Sequence, residues 1–208
     1  MRITLLALLL LPALGLTAAE KKPAPAKDPN CEIGVPPGKF SEKSIFPLNA
    51  TWTEDTGREM KLADLRGKPI ILALFFSNCE HSCQFIVRDM KSIESALPKK
   101  ARAKVDFLLV SIDPERDSTE ALAAFRAKHR LGTANWHLLR APEKSVRQLA
   151  DRVGFSYFPG SKTQFAHSLL ITVLNGDGET AHQQSGLGVD RKGAVETLEK
   201  LVSAKPKP

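Results

Sequence analysis

The chain has 208 residues, a formal net charge of +7 at pH 7 and 25% charged residues. Its length suits one domain with a substantial core. Lys and Arg are mixed with Asp and Glu along the chain, so we expect a solvated surface and no nucleic-acid partner. Three cysteines are too few for a disulfide scaffold, and an odd number leaves one unpaired.

The N-terminus has the pattern of a secretory signal. Met1 and Arg2 precede an apolar run at 3–16, and small residues follow at 17–19. The apolar run is shorter than the roughly 20 residues that span a bilayer. We therefore predict that residues 1–19 are a cleaved signal peptide, that the protein is periplasmic, and that the mature chain has no transmembrane span.

The next segment, residues 20–40, begins with a stretch rich in Pro, Ala and Lys. Such a composition offers little to pack and is typical of a flexible leader. Cys31 lies in this leader, where an incidental thiol is a simpler interpretation than a third reactive partner. The folded domain is predicted to cover residues 41–204.

The first predicted elements are a hairpin and a buried strand. Residues 46–53 contain β-forming residues, 54–57 form a turn, and 58–62 return, which predicts an opening hairpin. Residues 70–76 (IILALFF) are continuously apolar. Such a run is typical of a central strand that is covered on both faces, as in parallel sheets.

A helix, a strand and a second helix follow. Apolar residues recur after Cys83 at helical spacing until Pro98, which predicts a helix. Residues 105–112 (VDFLLVSI) indicate a second buried strand. Asp117, with Glu120 three residues later, is predicted to cap the next helix. The order is therefore β-α-β-α.

The last third of the chain changes pattern. A short strand is predicted at 136–139 and a helix that ends at Gly154. Segments 168–174 and 179–184 flank an Asn-Gly-Asp-Gly turn and predict an antiparallel hairpin, and a final helix follows. This order predicts the α/β class: a thioredoxin-like fold with an N-terminal β-hairpin and a central mixed sheet flanked by helices.

Cys79 and Cys83 are the candidate functional pair. Cys79 follows a predicted strand where a helix begins, the edge at which open α/β sheets bind ligands. The partial positive charge of a helix start stabilises thiolates. One helical turn places the two Cβ atoms about 5–6 Å apart. A disulfide prefers nearly 4 Å, whereas a metal ion bound about 2.3 Å from each sulfur tolerates the wider gap.

His167 is the candidate third ligand, because it stands directly before the predicted strand 168–174 near the same sheet edge. Many thioredoxin-fold oxidoreductases carry a cis-proline at this place. Two thiolates and one imidazole suit Cu(I) and can also hold Cu(II), or a zinc ion with an open position. A structural disulfide and a strand-end histidine bonded to backbone remain the alternatives at these residues.

The other histidines and the tryptophans have simpler interpretations. His81 lies between the cysteines and could ligate, but we expect it to face solvent in a loop. No constellation surrounds the remaining histidines, which are expected on the surface or in packing: His129, His137 and His182. Trp52 and Trp136 are predicted core residues.

Four motifs in this order resemble the SCO/SenC family of copper metallochaperones that assemble respiratory oxidases. The resemblance covers roughly residues 44–187, and four spaced motifs are more specific than the CxxxC pattern alone. Besides the opening hairpin, the motifs are 65–69 (LRGKP), 79–83 (CEHSC), 111–117 (SIDPERD), and 166–168 (AHS) before 176–178 (GDG).

The resemblance implies that Cys79, Cys83 and His167 are copper ligands. It implies as partners the copper-site subunit of a membrane cytochrome oxidase and other periplasmic copper or thiol carriers. Asp113 matches an acidic position of the family near the site, and capping the turn before Pro114 is an equal interpretation.

The sequence departs from the family where prolines usually follow the cysteines, since Glu80 and Gln84 stand there. Loss of the prolines loosens the loop, and a carboxylate beside Cys79 is expected to raise the pKa of its thiol. We therefore expect an atypical copper affinity or disulfide potential.

Two functions without copper compete with this interpretation. In a thiol-disulfide oxidoreductase, Cys79 would attack and Cys83 would resolve, with no metal. A peroxidase is disfavoured, because such enzymes need an activated cysteine beside Arg and Thr, and Glu80 works against a low-pKa thiolate.

Overall fold

The computed structural model describes residues 40–79, 82–160 and 164–204. The strands are β1 (Trp52–Glu54), β2 (Glu59–Met60), β3 (Ile70–Phe75), β4 (Asp106–Ser111), β5 (Trp136–Arg140), β6 (Tyr157–Pro159), β7 (Phe165–His167), β8 (Leu170–Leu174) and β9 (Thr180–Ser185). The α-helices are α1 (Ser82–Ala96), α2 (Lys99–Arg102), α3 (Thr119–His129), α4 (Glu143–Val153) and α5 (Lys192–Ser203), and a 3-10 turn covers Leu62–Leu65.

Seven strands form one mixed sheet in the order β2-β1-β5-β4-β3-β8-β9. Strands β3, β4 and β5 are parallel, whereas β1, β2, β8 and β9 pair antiparallel with their neighbours. Every residue of β3 and β4 is buried, as expected of apolar runs covered on both faces. The predicted thioredoxin-like α/β fold is confirmed.

The sheet topology brings three chain segments to one edge. Phe75 and Ser111 are register partners at the carboxyl ends of β3 and β4. Strand β8 runs antiparallel to β3, and Ile171 near its start pairs with Ala73 near the end of β3. The segments that follow β3 and β4 and the segment that precedes β8 therefore meet at this edge, which we call the site edge.

Both tryptophans are core residues, as predicted. Trp52 and Trp136 are buried, and Trp136 stacks on Phe107 at a centroid distance of 4.8 Å. Among the described helices, none has the length and apolarity required to cross a membrane.

The opening hairpin is shorter than predicted. The strand predicted at 46–53 is confined to Trp52–Glu54, and its partner is only Glu59–Met60. Ser44 and Phe46 instead pack against the β8–β9 turn, where the Ser44 hydroxyl donates to the carbonyl of Asp177. This part of the chain therefore makes tertiary contacts rather than the ladder hydrogen bonds of a strand.

The sequence did not predict the ribbon that β6 and β7 form, in which Tyr157 pairs with His167. His167 is the last residue of β7, and β8 begins at Leu170 rather than at 168. Three-residue strands give almost no periodic signal, so only their mutual pairing reveals them.

Two further residue assignments were wrong. Ser118, and not Asp117, caps α3, because the Ser118 hydroxyl accepts the N–H of Ala121. His137 does have a constellation, since its Nδ1 lies 2.7 Å from Glu54 Oε1 and its Nε2 lies 3.8 Å from Asp106 Oδ1. By contrast, α4 ends as predicted at Gly154, which adopts the left-handed conformation with φ 70°.

Candidate metal centre

Cys79, Cys83 and His167 converge at the site edge. One potential ligand atom of each residue lies within 4.8 Å of those of the other two. Cys79 lies between β3 and α1, Cys83 lies in the first turn of α1, and His167 ends β7. The structure thus brings together the three residues that the sequence selected, which we call the Cys₂His cluster.

The two cysteines have different environments. The backbone N–H of Cys83 donates to the sulfur of Cys79 at an N···S distance of 3.3 Å. A hydrogen bond to the Cys79 sulfur, together with burial, raises the pKa of the Cys83 thiol. Cys79 is partly exposed and Cys83 is buried. Cys79 is therefore the better placed of the two to carry a negative charge in the metal-free protein.

The imidazole of His167 is oriented by its neighbour. Its Nδ1 lies 2.7 Å from the carbonyl oxygen of Ser168, which can only accept a hydrogen bond. We therefore assign the proton to Nδ1, which leaves Nε2 for the cluster. A side-chain hydrogen bond with Cys79 raises the pKa of His167, and burial opposes this rise.

Two buried phenylalanines hold the ring of His167. Phe76 meets it edge-on at a centroid distance of 5.9 Å, and Phe155 stacks on it at 5.9 Å with an interplanar angle of 22°. Phe76 also contacts Phe165 at 5.3 Å. These contacts restrict the orientation of the imidazole and exclude water from one side of the cluster.

The segment that leads from β3 to Cys79, residues 76–79, is called the cysteine loop here. A buried carboxylate supports it. Asp117 accepts hydrogen bonds from the backbone N–H of Ser77 at 3.0 Å and from the hydroxyls of Ser77 and Ser111, each at 2.5 Å. Burial raises the pKa of Asp117 despite these hydrogen bonds. The sequence signal that could have indicated this role was the position of Asp117, which follows the last residue of β4 by six residues and so lies near the site edge.

Asp113 lies outside the Cys₂His cluster. Its carboxylate forms an ion pair with Arg116 at 2.6 Å, and its backbone carbonyl accepts the N–H groups of Arg116 and Asp117. Asp113 thus takes part in the turn through its backbone carbonyl, whereas its side chain pairs with Arg116. A separate hydrogen bond, from Gln164 Nε2 to the carbonyl of Asn78 at 3.2 Å, joins the β6–β7 ribbon to the cysteine loop.

Several expectations lie outside the described residues. They concern the signal peptide, the leader up to residue 39, Cys31, Glu80 and His81.

The donor set of the Cys₂His cluster is soft and small. Two sulfur atoms and one imidazole nitrogen suit a thiophilic ion of low coordination number, of which Cu(I) is the best match. The 4.8 Å limit on the separations of the ligand atoms is close to what bonds of about 2.0–2.3 Å to a shared ion require. The same dithiol can also undergo disulfide exchange.

Comparisons with known proteins agree with this geometry. A family model described as SCO1/SenC matches residues 44–203. The SCO1 protein homolog of Bacillus subtilis is 24% identical over 140 residues, which cover 66% of this chain and 72% of the relative.

Solved structures show the same fold. A SCO1/SenC family lipoprotein of Bacillus anthracis superposes with a TM-score of 0.67 at 22% identity and covers 74% of this chain and 92% of that one. Yeast Sco1 with copper bound gives a TM-score of 0.62 at 21% identity, covering 76% and 88% of the two chains.

Proposed function

Because the chain belongs to the SCO1/SenC family, we propose that it binds copper and delivers it during assembly of the copper centre of a respiratory cytochrome oxidase. The observation that carries the proposal is the convergence of potential ligand atoms from Cys79, Cys83 and His167 within 4.8 Å. Related proteins support it, since the structures of yeast Sco1 and of Arabidopsis thaliana ScoI contain bound copper.

Each proposed ligand has a distinct role. Cys79 offers the sulfur that is most accessible and already accepts an N–H group. Cys83 offers a buried thiol whose raised pKa means that copper loading must displace its proton. His167 offers Nε2, because Nδ1 is engaged by Ser168. Copper binding is therefore expected to release protons and to strengthen with rising pH.

Copper would leave by ligand exchange. Cys79 is partly exposed, so a thiolate of the receiving protein can reach copper on that side first. Cys83 and His167 would then release the ion in turn. The receiver would be the copper-site subunit of a membrane cytochrome oxidase, and other periplasmic copper or thiol carriers would be further partners.

The same proposal covers the organisation of the chain. Residues 1–19 would be a signal peptide for export to the periplasm, 20–40 a flexible leader, and 41–204 the functional domain. A related protein from Bacillus anthracis is a lipoprotein, which supports a location outside the cytoplasm.

A thiol-disulfide oxidoreductase is the second candidate, favoured by the unequal cysteines. The Cys79 thiolate would attack a disulfide of the receiver and form a mixed disulfide. Cys83 would then attack the Cys79 sulfur and release the second receiver thiol. Two electrons pass to the receiver, and a Cys79–Cys83 disulfide remains. BsSco, a member of the Sco family of cytochrome c oxidase assembly proteins, has a disulfide switch.

Copper titration of the reduced, purified protein tests the first proposal. We expect retention of about one Cu(I) per chain, with loss of retention in His167→Ala because a donor is removed. His182→Ala, which changes a histidine on β9 outside the Cys₂His cluster, is the matched control. Unchanged retention in His167→Ala would contradict the proposal, and disulfide reduction independent of His167 would favour the oxidoreductase.

A further inference from the structure

The Cys₂His cluster combines residues from elements of two different sheets. Cys79 and Cys83 follow β3, a strand of the seven-stranded sheet, whereas His167 ends β7. Strands β6 and β7 form a two-stranded sheet of their own. The hydrogen-bond ladder of the main sheet therefore does not fix the distance between the sulfurs and the imidazole. This distance depends on contacts between the cysteine loop and the β6–β7 ribbon.

The peptide group that links Asn78 to Cys79 is hydrogen-bonded at both of its polar atoms. Its N–H, which belongs to Cys79, donates to the carbonyl of Phe76 at 3.3 Å. Its carbonyl, which belongs to Asn78, accepts a hydrogen bond from Nε2 of Gln164 at 3.2 Å. A trans peptide group is planar and its two polar atoms point in opposite directions, so these hydrogen bonds fix the orientation of the plane. They thereby fix the direction in which the chain enters Cys79.

The side chain that holds the carbonyl of Asn78 comes from the ribbon. Gln164 lies 86 positions after Asn78 and directly before β7, which ends at His167. A carbonyl oxygen only accepts hydrogen bonds, so the amide nitrogen of Gln164 must face it. The hydrogen bond therefore ties the peptide group before one proposed copper ligand to the chain segment that carries another.

The ribbon is the firmly held side of this contact. Arg147 on α4 donates through Nη1 to the carbonyl of Tyr157 at 2.8 Å, and its guanidinium lies 3.7 Å from the centroid of the Tyr157 ring. Tyr157 is buried and pairs with His167 across the ribbon. These contacts do not involve Gln164, so a substitution of Gln164 should leave the ribbon in place.

The cysteine loop is held one step earlier by a different group. The carboxylate of Asp117 accepts the backbone N–H of Ser77 at 3.0 Å. Asn78 follows Ser77 and is exposed. The last step of the loop before Cys79 therefore depends on the hydrogen bond from Gln164.

A second contact between the ribbon and the loop is apolar. Phe165 packs edge-on against Phe76 at a centroid distance of 5.3 Å, and the guanidinium of Arg116 lies 5.8 Å from the centroid of the Phe165 ring. Apolar contacts are non-directional, whereas hydrogen bonds are directional. Phe165 thus keeps the ribbon and the loop in contact, and Gln164 orients the loop.

We propose that Gln164 is a positioning residue for copper binding, because it holds the Asn78–Cys79 peptide group in the orientation that turns the Cys79 sulfur toward Cys83 and His167. The proposal rests on the proposed function and adds a residue that does not touch the ion. Neither partner of the Gln164–Asn78 hydrogen bond is a proposed ligand, so it orients Cys79 independently of copper. A ligand that is oriented in advance loses less conformational entropy when the ion binds, which raises the affinity.

The first test measures removal of Cu(I) from the loaded protein by a small chelator. Gln164→Met keeps the length of the side chain but loses the N–H donor, so removal should be roughly 3–10-fold faster, the change expected for one hydrogen bond. Gln164→Lys regains a donor and should restore most of the wild-type rate. Gln148→Met, on the exposed surface of α4, is the matched control and should leave the rate unchanged.

The second test needs no copper and follows the hydrogen exchange of single backbone amides by NMR in the reduced protein. In Gln164→Met, the N–H of Cys79 should exchange roughly 3–10-fold faster, because its peptide group is no longer held at the carbonyl. The N–H of Cys83 should also exchange faster, since its acceptor is the Cys79 sulfur. The N–H of Ser77 should keep its wild-type rate, because Asp117 holds it.

The positioning role would be overturned by unchanged exchange at Cys79 and Cys83 in Gln164→Met, by unchanged copper removal from a protein that loads copper, or by failure of Gln164→Lys to restore the two measurements. Faster exchange throughout the ribbon and the loop, including Ser77, would assign Gln164 to general stability and would also overturn it. If the wild-type protein loads no copper, the proposed function fails. The exchange rates then decide by themselves whether Gln164 positions Cys79.

Discussion

The backbone N–H of Cys83 donates to the sulfur of Cys79, with an N···S distance of 3.3 Å. This contact gives the two thiols different electrostatic environments. It stabilises negative charge on Cys79 while Cys83 stays buried with a raised pKa.

The first prediction concerns the reactivity of these thiols. Iodoacetamide should modify Cys79 at least about 10-fold faster than Cys83 at neutral pH, because thiolate character and access both favour Cys79. Peptide mapping by mass spectrometry separates the cysteines. In urea the two rates should converge, and equal rates in the folded protein would contradict the asymmetry.

A second prediction concerns Asp117, whose carboxylate supports the cysteine loop. Asp117→Ala leaves the hydrogen-bond donors of Ser77 and Ser111 without their acceptor, so the free energy of unfolding should fall by about 2–4 kcal/mol. Asp117→Asn keeps one acceptor oxygen and should cost less. Urea denaturation measures both changes.

Glu199→Ala on α5 is the control for Asp117, because Glu199 is exposed and its loss should leave the free energy of unfolding nearly unchanged. If Asp117→Ala were as mild as this control, Asp117 would not support the loop.

The aromatic contacts of His167 lead to a third prediction. Phe155→Leu removes the ring that stacks on the imidazole of His167. A small Cu(I) chelator should then remove copper from the loaded protein roughly 3–10-fold faster, as expected when support of a metal ligand is weakened. Phe125→Leu changes a similarly buried ring that packs on Phe75 and should leave this rate unchanged. Equal effects of the two substitutions would attribute the change to general loss of packing.

The fourth prediction is a pH dependence of stability at His137. Burial lowers the pKa of this histidine, but the nearby carboxylate of Asp106 and the hydrogen bond with Glu54 raise it by more, so the net shift is upward. Its contribution to stability is therefore present below the ordinary pKa of 6.5 and is lost as pH rises through the folded-state pKa.

Glu54 sets the acid limit of the same interaction. Burial raises its pKa, but hydrogen bonds from His137 and Arg58 lower it to about 2 from 4.5. This contribution is present above pH 4.5 and is lost as pH falls toward 2. His137→Gln should therefore lower the free energy of unfolding by about 1–3 kcal/mol near pH 5.5. The difference from wild type should shrink in alkali and in strong acid.

Urea denaturation across pH measures the effect of His137→Gln, with His182→Gln on β9 as the control. A difference that stays constant from acid to alkali would show that His137 contributes packing and not charge.

Structural features that depend on residues near each other in sequence were predicted well. The apolar runs of β3 and β4 require cover on both faces, which specifies a parallel arrangement, and the CxxxC spacing is one turn of α1. Errors arose where two alternative local structures have similar free energies. Asp117 and Ser118 are both good helix caps. The Ser77 and Ser111 donors at the site edge engage Asp117, which leaves Ser118 to cap α3.

By itself, the sequence determined the order of elements, the buried strands and a dithiol at a helix start, since these depend on periodicity and on spacing within a few residues. Only the tertiary structure decided that His167 reaches Cys79 and Cys83 through the unpredicted β6–β7 ribbon, and that His137 lies between two carboxylates. These contacts depend on strand order and register, because only chain folding brings together residues that are dozens of positions apart.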